Sequence, residues 1–305
     1  MDVNRIENHN RKQQRTIFAS GCILAAGGMW GTMGLWVRRL TAEGLASVQI
    51  LALRIVVTAV MMLVFLAVYN RKLLKIRWKD LWCFLGTGIC SIVFFGYCYN
   101  KTIVLTSLSV AAILLYTAPI FVMILSRFLF GEKFSAQKIG ALIMAFAGCI
   151  CVTGIVGGSE SVSAAGILTG LGSGFGYALY SVFGRFALER GYHPFTVTFY
   201  TFLCALAAVF FLADWQPILH FAVSSPPDFL YGLAYGVVTT VFPYILYTFG
   251  LNYIEAGKAS IMATIEPVVA TFLGVFVLQE TITIVGLIGV ALVLGALVLL
   301  NIRQS

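Results

Sequence analysis

The sequence predicts an all-α integral membrane protein of ten transmembrane helices, built as two inverted five-helix repeats. Three observations carry this expectation. Only 10% of the 305 residues are charged while 60% are hydrophobic, whereas a soluble domain is about a quarter charged and needs a polar shell that this composition cannot supply. Apolar runs recur to the end of the chain, and the two halves resemble each other at a fixed spacing.

Crossing the hydrocarbon core takes about 20 apolar residues per helix. Runs of that kind fall at 17–37, 46–69, 80–100, 104–130, 136–156, 164–187, 194–213, 227–250, 257–279 and 282–301. Residues 1–16 are polar and basic, which marks a tail. The run that follows is too long for a signal peptide and lacks a small-residue cleavage site, so it is retained as the first helix. The third and fourth runs are separated only by Asn100-Lys101-Thr102, and the eighth and ninth only by Asn252-Tyr253-Ile254-Glu255. The expected layout is a tail at 1–16, a first repeat at 17–156, a second at 164–301 and a short tail at 302–305.

Basic loops are retained in the cytoplasm, so the Lys and Arg count on each side orients the helices. One side carries Arg5, Arg11, Lys12 and Arg15, then Arg71, Lys72, Lys75, Arg77 and Lys79, then Lys133, Lys138, Arg190 and Lys258; the other has Arg38, Arg39 and Lys101. Both termini are therefore expected in the cytoplasm, with the chain in the plasma (inner) membrane. The formal net charge of +8 reflects these loops, which are too short to form a nucleic-acid surface.

The third to fifth runs repeat as the eighth to tenth at a spacing of 148 residues. Gly88, Val93, Phe94 and Tyr99 fall on Gly236, Val241, Phe242 and Tyr247, and Ala111, Pro119 and Glu132 fall on Ala259, Pro267 and Glu280. At 147, Trp30 and Arg38 fall on Tyr177 and Arg185. Five is odd, so the second copy must enter the membrane upside down. Inverted repeats characterise many secondary transporters, whose substrate site lies near the midplane between the halves.

Glu266 is the one acid deep inside an apolar run, and a carboxylate there costs several kcal/mol unless paired or protonated. Its obvious partner is Arg54, since no other basic residue sits so deep. At ~1.5 Å rise per residue, Arg54 lies ~11 Å and Glu266 ~20 Å below the same surface, which two long side chains could bridge. A structural ion pair and a role in substrate or proton handling are both open. Neither charge recurs in the other repeat, where Phe202 and Ala118 stand, and that asymmetry favours function over architecture.

Pro119 and Pro267 occupy equivalent places and are expected to bend their helices beside a central cavity, as ligands or as packing kinks. Trp30, Tyr99, Tyr177, Tyr180, Phe242, Tyr244 and Tyr247 cluster on the first, third, sixth and eighth runs, most of them too deep for an interfacial belt; they are expected to line that cavity or to pack between helices. Glu132 and Glu280 follow equivalent helix ends, where capping explains them. Gly170, Gly172, Gly174 and Gly176 lack the spacing and the preceding strand of a phosphate loop and read, like Gly27 and Gly31, as close helix contacts. The seven cysteines all fall in apolar runs, and no histidine near Cys149 and Cys151 completes a metal site. His9, His193 and His220 lie in tails or loops, so no catalytic cluster, metal or cofactor is expected.

At Arg54-Ile55, at Pro119 with Gly131-Glu132-Lys133, and at Glu266-Pro267-Val268 with Leu278-Gln279-Glu280, the sequence resembles the drug/metabolite transporter superfamily, in particular its EamA-type members, over nearly its whole length. The resemblance implies a ten-helix basket with helices 1, 3, 4, 6, 8 and 9 around a central cavity and helices 5 and 10 at the periphery. It also implies cargo among amino acids, related metabolites, sugars and amines. The expected function is alternating-access transport of a small metabolite, an amino acid or related compound, by export and with proton coupling; an uncoupled facilitator is the second reading, and a lipid-interacting or sensor protein the third.

Overall fold

The computed structural model describes residues 3–153, 163–224 and 226–302, with side chains from Gln13 onward. The expected linker and C-terminal tail fall largely outside the described residues, as do the side chains of His9, Arg5, Arg11 and Lys12. Every apolar run is helical over most of its described length, and no strand occurs among the described residues. The helices are α1 (Val3–Gly31 continued by Met33–Ala42), α2 (Ser47–Tyr69), α3 (Trp78–Leu105), α4 (Leu108–Phe130), α5 (Ala136–Val152), α6 (Ala164–Glu189), α7 (Pro194–Val209), α8 (Pro226–Leu251), α9 (Ala256–Leu278) and α10 (Ile284–Asn301).

Seven of these, α1 to α4 and α8 to α10, are long and apolar enough to cross a membrane; α5 and α7 are shorter apolar helices. Glycine-rich α6 is long, at 26 residues. The helix of α1 begins at Val3, so residues 3–16 of the polar stretch are helical. One expectation is corrected. An additional short helix, Gln216–Ser224, precedes α8 and buries Ile218 and Phe221; His220, expected in a loop, lies on it. Outward-facing apolar side chains are abundant: Val68, Val104, Phe128 and Ile284 are each at least 78% exposed, a surface that hydrocarbon accommodates and water does not.

The duplication recurs in backbone irregularities. A π-helical stretch runs over Gly86–Val93 in α3 and over Val237–Val241 in α8, ending on valines 148 residues apart. α4 breaks after Leu115 and α9 after Met262. The hydroxyls of Thr117 and Thr264 turn back at these breaks, each donating to the carbonyl three residues earlier at 2.6 Å. Both helices then end on a left-handed residue, Gly131 (φ 67°) and Gln279 (φ 57°). Pro119 and Pro267 stand in the first turn after each break, where a missing N–H leaves no intrahelical bond unmade. The prolines thus restart the helix beyond a break that precedes them.

Each break is covered by a glycine. A methyl group at Gly27 would stand 2.9 Å from the Ala263 carbonyl oxygen, and one at Gly174 would press on Thr117 Oγ1; the two glycines are 147 residues apart. At Gly31 it would stand 2.6 Å from the Glu266 carbonyl oxygen. Peripheral α5 and α10 approach in the same way, Gly148 and Gly289 each lying 2.7 Å from the other's carbonyl on this measure. Interhelix approach in lipid depends on such small residues, because apolar side chains gain little by leaving hydrocarbon for one another.

Gly31→Ala is therefore expected to destabilise the fold by about 1–3 kcal/mol through overpacking against backbone that cannot rotate away. Gly34→Ala, with nothing within 4 Å, should be neutral. Thermal unfolding of the two variants in detergent checks the contrast.

Candidate functional site

Six inner helices converge on two small cavities that share one wall. The first is lined by Trp30 of α1, Ser91, Ile92 and Phe95 of α3, Tyr177, Tyr180 and Ser181 of α6, and Tyr244 and Tyr247 of α8. The second is lined by Leu115, Tyr116, Ala118 and Pro119 of α4, Tyr177 of α6, and Ser260, Ala263, Thr264 and Glu266 of α9. Tyr177 belongs to both. The lining comes from helices 1, 3, 4, 6, 8 and 9, while α5 and α10 pack against each other outside.

The first cavity is an aromatic cage. The Trp30 ring meets Tyr177, Tyr244 and Tyr247 at centroid distances of 6.1, 5.3 and 5.5 Å, and Tyr180 meets Tyr244 at 4.9 Å. Buried phenols need partners, and two have them across the α6–α8 contact: Tyr180 with Thr248 at 2.6 Å and Tyr247 with Ser181 at 2.8 Å. These bonds fix the cage walls and turn ring faces towards the space between.

The second cavity is floored by Glu266. The break in α9 places it in the first turn of the restarted helix, where the aligned N–H groups favour negative charge. Its carboxylate neither pairs with a cation nor accepts a hydrogen bond from any described side chain. Tyr116 and Tyr177 line the same cavity.

Glu266 and Arg54 do not form the ion pair that their depths allowed. Arg54 is 6% exposed, its Nη1 lies 3.9 Å from the Met33 sulfur, and its Nε has no partner. Arg54 lines neither cavity. Of the other singled-out residues, Trp30, Tyr177, Tyr180, Tyr244 and Tyr247 line the cage. Tyr99 stands outside it, 5.7 Å from Phe95, and Phe242 faces outward at 51% exposure. Sequence reasoning passed over Tyr116, Ser91 and Ser181. A phenol three residues before Pro119 in an otherwise apolar run was the available signal for the first; small hydroxyls give none. Among the described residues no group of three or more His, Cys, Asp or Glu gathers as a metal site would require.

The EamA-like transporter family matches this chain twice, at residues 17–154 and at 164–302. Among curated proteins it is similar to an uncharacterized transporter of Archaeoglobus fulgidus, 31% identical over 66% of this chain and 70% of that one. It is also similar to two uncharacterized transporters of Bacillus subtilis: YdfC, 25% identical over 86% of each chain, and YwfM, 25% identical over 91% and 92%. Among solved structures, a crystal structure of a protein 18% identical aligns with a TM-score of 0.74 over 93% of this chain and 96% of that one, which shows the same fold.

The cage predicts a measurable coupling between Ser181 and Tyr247. A double-mutant cycle of Ser181→Ala and Tyr247→Phe should return an interaction of about 0.5–1.5 kcal/mol in unfolding free energy, the net worth of one buried hydrogen bond. Additive effects would mean that the bond is not made.

Proposed function

The chain belongs to the EamA-like transporter family and is a multi-pass membrane transporter; from that premise we propose that it exports a small amphoteric metabolite, an amino acid or a related compound, by alternating access. The carrying observation is that the two deepest charges, Glu266 and Arg54, do not neutralise each other. A buried ion without a counter-ion is costly, and it is retained where an incoming group completes it.

The order of groups across the centre suits a molecule with a charge at each end. The cage lies on one side of Tyr177 and the second cavity, which Glu266 closes, on the other, and Arg54 is buried outside both, against Met33 of α1. A substrate ammonium would sit against the Glu266 carboxylate with ring faces beside it, and its carboxylate would face the Arg54 side. The apolar part would lie against Trp30 and Phe95. Ten crossings with both termini cytoplasmic, in the plasma membrane, complete the proposed arrangement, with repeats at 17–156 and 164–301.

Proton coupling follows from the same carboxylate. A proton neutralises Glu266 as well as an ammonium does, so the two compete, and a carrier that exchanges them moves substrate against a proton gradient. The uncoupled facilitator is the competing mechanism, in which Glu266 serves binding alone.

Reconstituted protein decides between them. Proteoliposomes with an imposed pH gradient should accumulate a radiolabelled amino acid drawn from a thermal-shift screen, and Glu266→Gln should abolish the response to the gradient while the protein stays folded. Arg54→Gln should weaken binding of substrates that bear a carboxylate more than that of simple amines. Gradient-driven uptake by Glu266→Gln equal to wild type would remove the coupling role.

A further inference from the structure

At the end of the molecule where α8 turns into α9, the hairpin tip is clamped by two charges from the other helices. Glu132, just past α4, accepts hydrogen bonds from the Ala256 and Gly257 N–H groups at 2.7 and 3.1 Å, capping the start of α9. Arg185 of α6 donates to the Leu251 carbonyl at 3.0 Å and the Ile254 carbonyl at 3.4 Å, capping the end of α8. Each charge has the sign that its helix end attracts.

The repeat supplies the same parts at the other end, unassembled. Glu280 and Arg38 are the counterparts of Glu132 and Arg185, and the corresponding tip joins α3 to α4. Here the two charges bind each other at 3.4 Å, with side chains 54% and 64% exposed. The Leu108 and Ser109 N–H groups, which correspond to Ala256 and Gly257, bond no described protein group, and the Ser107 hydroxyl that caps this helix accepts from the Val110 N–H. A second set of charges is in place at both ends. Asp80 holds Arg77 at 2.7 Å and Arg190 at 3.3 Å, and Asp228, 148 residues later, holds Arg39 at 2.7 Å. The two aspartates are equivalent and both hold arginines, whereas the Glu132–Arg185 and Glu280–Arg38 set is asymmetric, capping one tip only.

We infer that Glu132–Arg185 and Glu280–Arg38 are a pair of alternating gate clamps, and that the structure holds the first closed and the second open. When the gate changes over, Glu280 moves onto the Leu108 and Ser109 N–H groups and Arg38 onto the carbonyls at the end of α3. Glu132 and Arg185 release the α8–α9 tip and meet each other. The asymmetric set moves with the tips, and the Asp80 and Asp228 braces stay fixed. The closed clamp lies at the end with the basic loops, so the present state is open towards the opposite face. This gate rests on the alternating-access reading, and each can fail without the other.

Amide hydrogen exchange in detergent or nanodiscs tests it crosswise. Loss of the local bond alone makes Glu132→Gln exchange faster at Ala256 and Gly257. An alternating gate also makes it exchange severalfold more slowly at Leu108 and Ser109, at the far end of the molecule, and makes Glu280→Gln exchange more slowly at Ala256 and Gly257. Effects confined to the tip next to each substitution overturn the gate. If Glu132→Gln fails to fold, which exchange throughout α5 and α10 would reveal, the exposed Glu280→Gln substitution decides alone. Crosswise protection without transport in liposomes leaves the gate standing and removes the transport reading; transport without crosswise protection does the reverse.

Discussion

The whole architecture depends on one constraint: inside hydrocarbon, every backbone N–H and C=O must find its partner within the protein. Continuous helices satisfy it along most of the chain. Two π-helical stretches and two breaks sit on the inner helices α3, α4, α8 and α9, a further turn interrupts α1 at Thr32, and the breaks in α4 and α9 are sheltered by protein. Gly27 and Gly31 bring the α1 backbone against the interrupted turn of α9, Gly174 does the same for α4, and Thr117 and Thr264 take up carbonyls that the breaks release. The cavities exist where they do because irregular backbone is tolerable only there, and Glu266 owes its place in the first turn of a restarted helix to the same rule.

Much of this was legible in the sequence because the bilayer imposes a length scale. Most helix ends fall within a few residues of the apolar-run boundaries, and the 148-residue spacing anticipated the paired irregularities. What hydropathy cannot read is direction around a helix axis. Phe242 and Tyr244 are equally apolar-run residues, yet two positions along one helix turn them to nearly opposite sides, leaving Phe242 facing out and Tyr244 facing in. Arg54 and Glu266 were within reach by depth, but α2 contacts α1 and α8 where it carries Arg54, so proximity along the membrane normal did not become contact. The Gln216–Ser224 helix was missed for a related reason, since its apolar residues cover a loop end and form no run of spanning length.

The charges towards the ends of the helices are sorted by task. Asp80, buried in the first turn of α3, collects two arginines and a tyrosine, Tyr192 donating to it at 2.7 Å, and ties α3 to the α6–α7 loop. Lys138 and Glu255 pair across the α4–α5 and α8–α9 loops. None of these groups reaches the middle of the molecule, which is left to aromatic rings, small hydroxyls and two lone charges.

Tyr177 is the single ring that bounds both cavities, and a shared wall cannot be moved for one neighbour alone. Whatever fills the aromatic side and displaces that ring changes the room beside Glu266, and whatever binds at Glu266 changes the cage in return. By linkage the two influences are equal in free energy. One side chain thereby joins two binding events into a single thermodynamic process, with no need for the ligands to touch.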